Sequence, residues 1–174
     1  MRILKFFAVV LVSAAVSACA SMGTPDAPHA QQFSAMAASG DRFEIASSRL
    51  ALNKSRNGEV RSIAKKMIAD HSKSSKEMTE LLANGGLPAP PPGLSPQHQQ
   101  QFEKLSNSLD FDRDYLDAQA RAHRGAITLF KTYSEGGDHP ALRNFAAKTL
   151  PTIQMHYRMI EQARGGCEGA NCAD

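Results

Sequence analysis

Four side chains with the chemistry to bind a metal ion stand where apolar residues are expected: Glu44, His71, His123 and His156. His71 follows Met67 by four residues and precedes Met78 by seven. His123 follows Leu116 by seven and precedes Ile127 by four. His156 follows Ile153 by three and precedes Ile160 by four, and Glu44 lies four after Gly40 and seven before Ala51. Residues so spaced share one face of a helix, so each group points the way its apolar neighbours point. Three imidazoles and one carboxylate suit a single Zn, Fe, Mn or Cu ion. They equally suit a layer held by hydrogen bonds alone, because a buried Glu needs a partner and a neutral His supplies one; such a layer fixes helix register. A di-iron carboxylate centre fits poorly, since Glu-x-x-His pairs are missing: Ile68, Ala120 and Ile153 precede the histidines by three. Asp70 is next to His71 but about 100° round the helix, which makes it an expected flank or interface group rather than a ligand.

Helices must carry these groups. The first runs from about Gln31 to Arg56, with Phe33, Met36/Ala37, Gly40, Glu44, Ser47 and Ala51 on one stripe. Asn57-Gly58 marks a turn, and a second helix to about Ala83 places Val60, Ala64, Met67, His71, Met78 and Leu82 together. Asn84-Gly85-Gly86 ends it. The run Leu87-Pro88-Ala89-Pro90-Pro91-Pro92-Gly93-Leu94 is expected to be extended polyproline II, with Ser95 as N-cap and Pro96 opening helix three. Helix three is expected to reach about Ser134, with Phe102, Leu105, Leu109, Leu116, His123, Ile127 and Phe130 on one side. Gly136-Gly137 stops it. Helix four follows Pro140 and carries Leu142, Phe145, Ile153, His156 and Ile160, with Pro151 expected to free the carbonyl of Ala147 and bend it.

A helix of about 25 residues is about 38 Å long. A polyproline linker of about 12 residues spans about 37 Å. The chain can therefore return along the whole bundle between helices two and three. The expected fold is all-α, a four-helix ferritin-like bundle over 31–164: two antiparallel helical hairpins joined by a Pro-rich crossover. Counted from the hairpin turns, Glu44 and His71 are roughly level. His123 and His156 agree within about 8 Å. One polar group per helix then meets near mid-bundle.

The ends carry an address. Residues 1–18, MRILKFFAVVLVSAAVSA, combine a basic start (Arg2, Lys5) with an apolar run and small residues, the form of a secretory signal. Val16-Ser17-Ala18-Cys19 resembles the lipobox of bacterial lipoproteins, in which the cysteine becomes the lipid anchor; plain cleavage after Ala20 is the alternative. With Ala at position 20, the lipoprotein sorting rule points to the outer membrane, so the expected location is the periplasm, tethered through Cys19. Residues 19–30 form a tether and 165–174 a Gly-rich tail whose Cys167 and Cys172 are expected to close a local disulfide; metal binding or free thiols are the alternatives. Losing Arg2 and Lys5 lowers Lys+Arg from 20 to 18 against 17 Asp+Glu, a mature net charge of +1. That excludes an electrostatic case for nucleic acid. No Gly-rich phosphate loop and no Gly-x-Ser-x-Gly elbow occurs, and no nucleophile–base pair stands out, so an enzyme is the weaker expectation.

The residues also resemble a known family, the ferritin-like bacterial family called domain of unknown function 4142. The matching stretches are Ala37-Ala38-Ser39-Gly40 through Glu44, Met67-Ile68-Ala69-Asp70-His71, Phe111-Asp112-Arg113-Asp114-Tyr115-Leu116 with Gln119 and His123, and Phe145-Ala146-Ala147-Lys148-Thr149-Leu150-Pro151 with His156. They cover about residues 30–164. Ser39-Gly40 stands where the family usually has Gly-Gly. The resemblance implies an exported four-helix bundle and no established reaction. The functional expectation is an envelope protein that binds one metal ion and serves envelope stress or metal handling, or else a non-catalytic structural or interaction protein of the envelope.

Overall fold

A computed structural model describes residues 27–165 and holds five helices, with no strand among the described residues: α1 (Ala30–Lys54), α2 (Gly58–Asn84), α3 (Pro96–Ser106), α4 (Phe111–Gly136) and α5 (Pro140–Ala163). The signal-like segment, Cys19, Cys167 and Cys172 lie outside the described residues.

Local chemistry sets the ends. Asn57 is the N-cap of α2, its side-chain oxygen accepting from the N–H groups of Glu59 (2.9 Å) and Val60 (3.2 Å). At the other end Leu87 N–H reaches Leu82 O (2.9 Å) and Gly86 N–H reaches Ala83 O (3.2 Å), a Schellman closure with Gly86 at φ +62. Ser95 caps α3 as expected, with Pro96 at its first position. α5 runs unbroken through Pro151.

The single helix expected from Pro96 to Ser134 is divided. Asn107-Ser108-Leu109-Asp110 separates α3 from α4, because Asn, Ser and Asp offer the backbone side-chain hydrogen bonds that compete with a helix. Asn107 Nδ2 donates to Glu103 O and Ser108 Oγ to Asp114 Oδ2. Leu109, expected inside, is fully exposed in this turn, and Met36 is 49 % exposed.

Cross-helix contacts give the directions. His29 and Ala30 meet Asp138, while Lys54 meets Ser106 O and lies over the Phe111 ring, so α1 and α4 are antiparallel. Asp41 meets His71 and Asp70 meets His156, so α2 packs antiparallel between α1 and α5. The chain must therefore travel the bundle's length between α2 and α4, and it does so on the extended segment plus α3. Arg42 holds that return, donating to the carbonyls of Pro91 (2.8 Å) and Gly93 (2.9 Å). Ser39 Oγ accepts from Ser95 N–H (2.8 Å) and sits 2.7 Å from His98 Nδ1, with His98 stacked on Phe43.

Two apolar cores result. One gathers Phe33, Met78, Leu82, Phe130, Tyr133, Leu142, Phe145 and Ile153; the other Ala51, Val60, Ile63, Met67, Leu105, Tyr115, Leu116 and Ile160. Between them lies a belt of buried polar residues, Asp41, Glu44, Ser47, Ser48, His71, Gln119, His123 and His156.

Candidate metal centre

The belt brings three of the four expected groups into one triangle. The rings of His71, His123 and His156 have centroids 5.4–5.5 Å apart. One ring nitrogen from each lies within 4.8 Å of the others, and all three residues are buried.

Each ring is fixed through its other nitrogen. His71 Nδ1 is 2.8 Å from Asp41 Oδ1, whose second oxygen accepts from Ser75 Oγ (3.0 Å). His123 Nδ1 is 2.9 Å from the backbone carbonyl of Gln119, which can only accept. His156 Nε2 is 2.7 Å from Asp70 Oδ2, which also meets Lys66 Nζ at 3.0 Å. Carboxylate and carbonyl oxygens require the ring nitrogens facing them to carry the protons. In the neutral rings that leaves Nε2 of His71, Nε2 of His123 and Nδ1 of His156 as lone pairs.

The consequences are unusual for a hydrogen-bonded layer. His71 Nε2 is buried with no partner. His123 Nε2 and His156 Nδ1 face one another at 3.4 Å with no proton left between them. Two imidazole nitrogens on a tetrahedral ion at about 2.0–2.1 Å stand about 3.4 Å apart. Carboxylates and a carbonyl behind metal-binding histidines are the usual outer support of such sites.

Electrostatics agrees. Burial, together with the neighbouring His71 and His156, pushes His123 down to about 3. Burial also lowers His156, against the pull of Asp70. Burial pulls His71 down too, but its bond to Asp41 and the carboxylates of Glu44 and Asp70 outweigh it and raise it above the ordinary imidazole value. A site that favours a proton on His71 favours any cation there.

Glu44 is placed beside the trio rather than in it. Its Oε1 lies 3.7 Å from Nδ1 of His123, the nitrogen opposite the converging one, and its Oε2 has no partner. Burial raises its carboxyl to about 7, partly countered by His71. With His123 held neutral, this contact is no ion pair.

Asp70 is an interface group, as its direction round the helix implies. It does face away from His71, but that direction leads to α5 and His156, because α2 packs against two neighbours at once. Asp41 is not singled out by the sequence, and Gln119 stands there only among the stretches that resemble the family, with no role beside His123. Asp41 follows Gly40 on the inward stripe and lies three residues before Glu44, the one signal that could have pointed to it.

A cavity of about 760 Å³ opens onto the trio. Its wall includes the small or apolar Gly40, Ala122, Ala126, Leu129 and Ile153, and exposed Met36 and Arg121 bring it to the surface.

The protein is thus a helical bundle with converging imidazoles buried between two apolar cores. The chain belongs to the family described as Domain of unknown function (DUF4142), whose profile matches residues 15–163. No curated protein matches it in sequence. Among solved structures it is similar in fold to CopM in the Cu(II)-bound form, with 17 % identity, TM-score 0.69, and 80 % of this chain and 97 % of that one covered. CopM in a co-crystallised Ag-bound form gives 18 % identity and TM-score 0.65, with 82 % and 99 % covered. A DUF305 fragment from Deinococcus radiodurans gives 21 % identity and TM-score 0.68, with 82 % and 100 % covered.

Proposed function

We propose that this protein binds one transition-metal ion through His71, His123 and His156 and serves metal handling in the bacterial envelope. The observation that carries the reading is the proton accounting: every N–H of the three rings is used outward, and three lone pairs converge. A layer held by hydrogen bonds alone leaves His71 Nε2 orphaned and two lone pairs opposed, and relieves them only by taking up an extra cation; His71 favours one, while burial keeps protons off His123 and His156. Glu44 is a nearby carboxylate that supports the charge of the ion without being one of the three donors.

An all-nitrogen set suits copper or zinc better than iron or manganese, which favour carboxylate-rich sites. Copper is the first choice. Its divalent ion heads the affinity order for such donors, and the similar fold of CopM is known in Cu(II)-bound and Ag-bound forms. The ring of four long helices with one long crossover supports a ferritin-like arrangement, and the signal-like start with Cys19 supports export and a lipid tether at the outer membrane. Among the described residues no helix is long and apolar enough to cross a membrane.

The test is stoichiometry. Untagged protein is exposed to copper or zinc, desalted, and measured by elemental mass spectrometry. One ion per chain is expected, lost in His71→Leu and His156→Leu; no retained ion in the parent protein overturns the reading. For the tether, incorporation of labelled fatty acid that Cys19→Ala abolishes is expected, and equal labelling of both would refute it.

A further inference from the structure

We infer that the metal centre is coordinatively open and takes, as an extra ligand, a small neutral nitrogen or sulfur donor with an apolar body. This rests on the proposed metal reading and extends it to the site's ligand.

Three protein donors leave a tetrahedral ion one position short, the pattern of centres that bind an exogenous group. The converging donors are three, and Glu44 is not among them. Space for the extra ligand exists. The cavity of about 760 Å³ touches all three histidines and is far larger than one water. It falls in the range of small-molecule sites. Nothing stands within 4 Å of a Cβ built on Gly40, which lines it. Ala122, Ala126, Leu129 and Ile153 make much of the wall apolar, so a ligand's body gains by burial there.

Charge selects the kind of donor. A divalent ion brings +2. Asp41 and Asp70, each bonded to a ligand histidine, bring −1 apiece; Lys66 meets Asp70 from the solvent side, where water screens its charge, so inside the site ion and supports cancel. An anionic ligand would add an uncompensated charge to a buried site also lined by Glu44. A neutral imidazole, amine or thioether adds none.

The experiment uses the Cu(II)-loaded full chain and two probes, 1-methylimidazole and azide, followed by electron paramagnetic resonance and visible absorption, with retained copper checked after desalting. A saturable change with 1-methylimidazole at a concentration at least tenfold below that needed for azide is expected. Gly40→Leu is expected to keep the copper and its spectrum while weakening 1-methylimidazole at least tenfold, and Ala126→Trp to do the same from α4. The inference is overturned if neither probe alters the spectrum, if azide binds as well or better, or if both cavity-filling variants bind 1-methylimidazole like the parent. A chain that holds no copper overturns the metal reading itself, and this inference with it.

Discussion

Asp70→Ala isolates the support of one ligand from the ligand itself. Asp70 accepts from His156 Nε2 at 2.7 Å and so sets which nitrogen of that ring faces the centre. Without it, His156 can carry its proton on Nδ1 and donate toward His123 Nε2, 3.4 Å away, closing the site with a hydrogen bond. A metal ion must then displace that proton. Loss of such an outer partner costs about 10–100-fold in metal affinity, or roughly 1.4–2.7 kcal/mol. The metal-free fold should lose about 1 kcal/mol or less, because Asp70 is 30 % exposed and its bonds are partly replaceable by water. At saturating metal the thermal gain should shrink by the same 1.4–2.7 kcal/mol, roughly 5–10 °C for a domain of this size. Competition with a coloured chelator gives the affinity, and melts with and without metal give the rest. Lys66→Ala is the control: it removes the 3.0 Å ion pair to Asp70 but leaves the acceptor in place, so its affinity should stay within about threefold of the parent. An Asp70→Ala protein with unchanged affinity, or one no different from Lys66→Ala, would refute the argument.

Three further outcomes are expected. In metal-free protein Glu44 keeps its proton to about pH 7, whereas the unfolded chain releases it near 4.5. Its protonated form thus contributes stability that is full below pH 4.5 and lost as pH rises through 7, at most about 3 kcal/mol. Glu44→Gln should therefore gain on the parent by up to that amount between pH 4.5 and 8 in denaturant titrations; a pH-independent difference would contradict this. His123 works in the opposite sense: held down to about 3, it resists the proton that the unfolded chain accepts near 6.5, so stability falls as pH drops below 6.5. His123→Leu should flatten the acid limb of the stability profile, and an unchanged limb would count against the burial of a neutral imidazole. A Cβ on Gly137 would lie 2.6 Å from the Tyr133 ring, which is fully buried and stacked on Phe33, so Gly137→Ala should cost about 1–3 kcal/mol; a loss below about 0.5 kcal/mol would show that the ring can move.

Much of the fold was legible because its signals are local. Asn57, Gly86, Ser95 and Pro96 announce helix ends through their own chemistry, and the spacing from Met67 to Met78 fixes the inward face of α2. Periodicity read too far at Leu109: the apolar residue in Asn107-Ser108-Leu109-Asp110 continued the pattern, but its three neighbours cap and turn the backbone. The three histidines were readable as inward groups at one level. Their partners were not. Asp70 reaches His156 and Asp41 reaches His71 across helix interfaces, and helical spacing describes one helix at a time. It gives a residue's direction and not what stands there. Gln119 supports His123 through its backbone carbonyl, to which side-chain identity is no guide.

Whether three imidazole nitrogens close on one ion is read by X-ray absorption at the metal edge of the copper- or zinc-loaded protein. Three imidazole nitrogens at about 2.0–2.1 Å are expected around the ion, marked by the outer-shell scattering of their rings, with a count that falls in His71→Leu. A shell dominated by oxygen or sulfur, or one unchanged by His71→Leu, would contradict it.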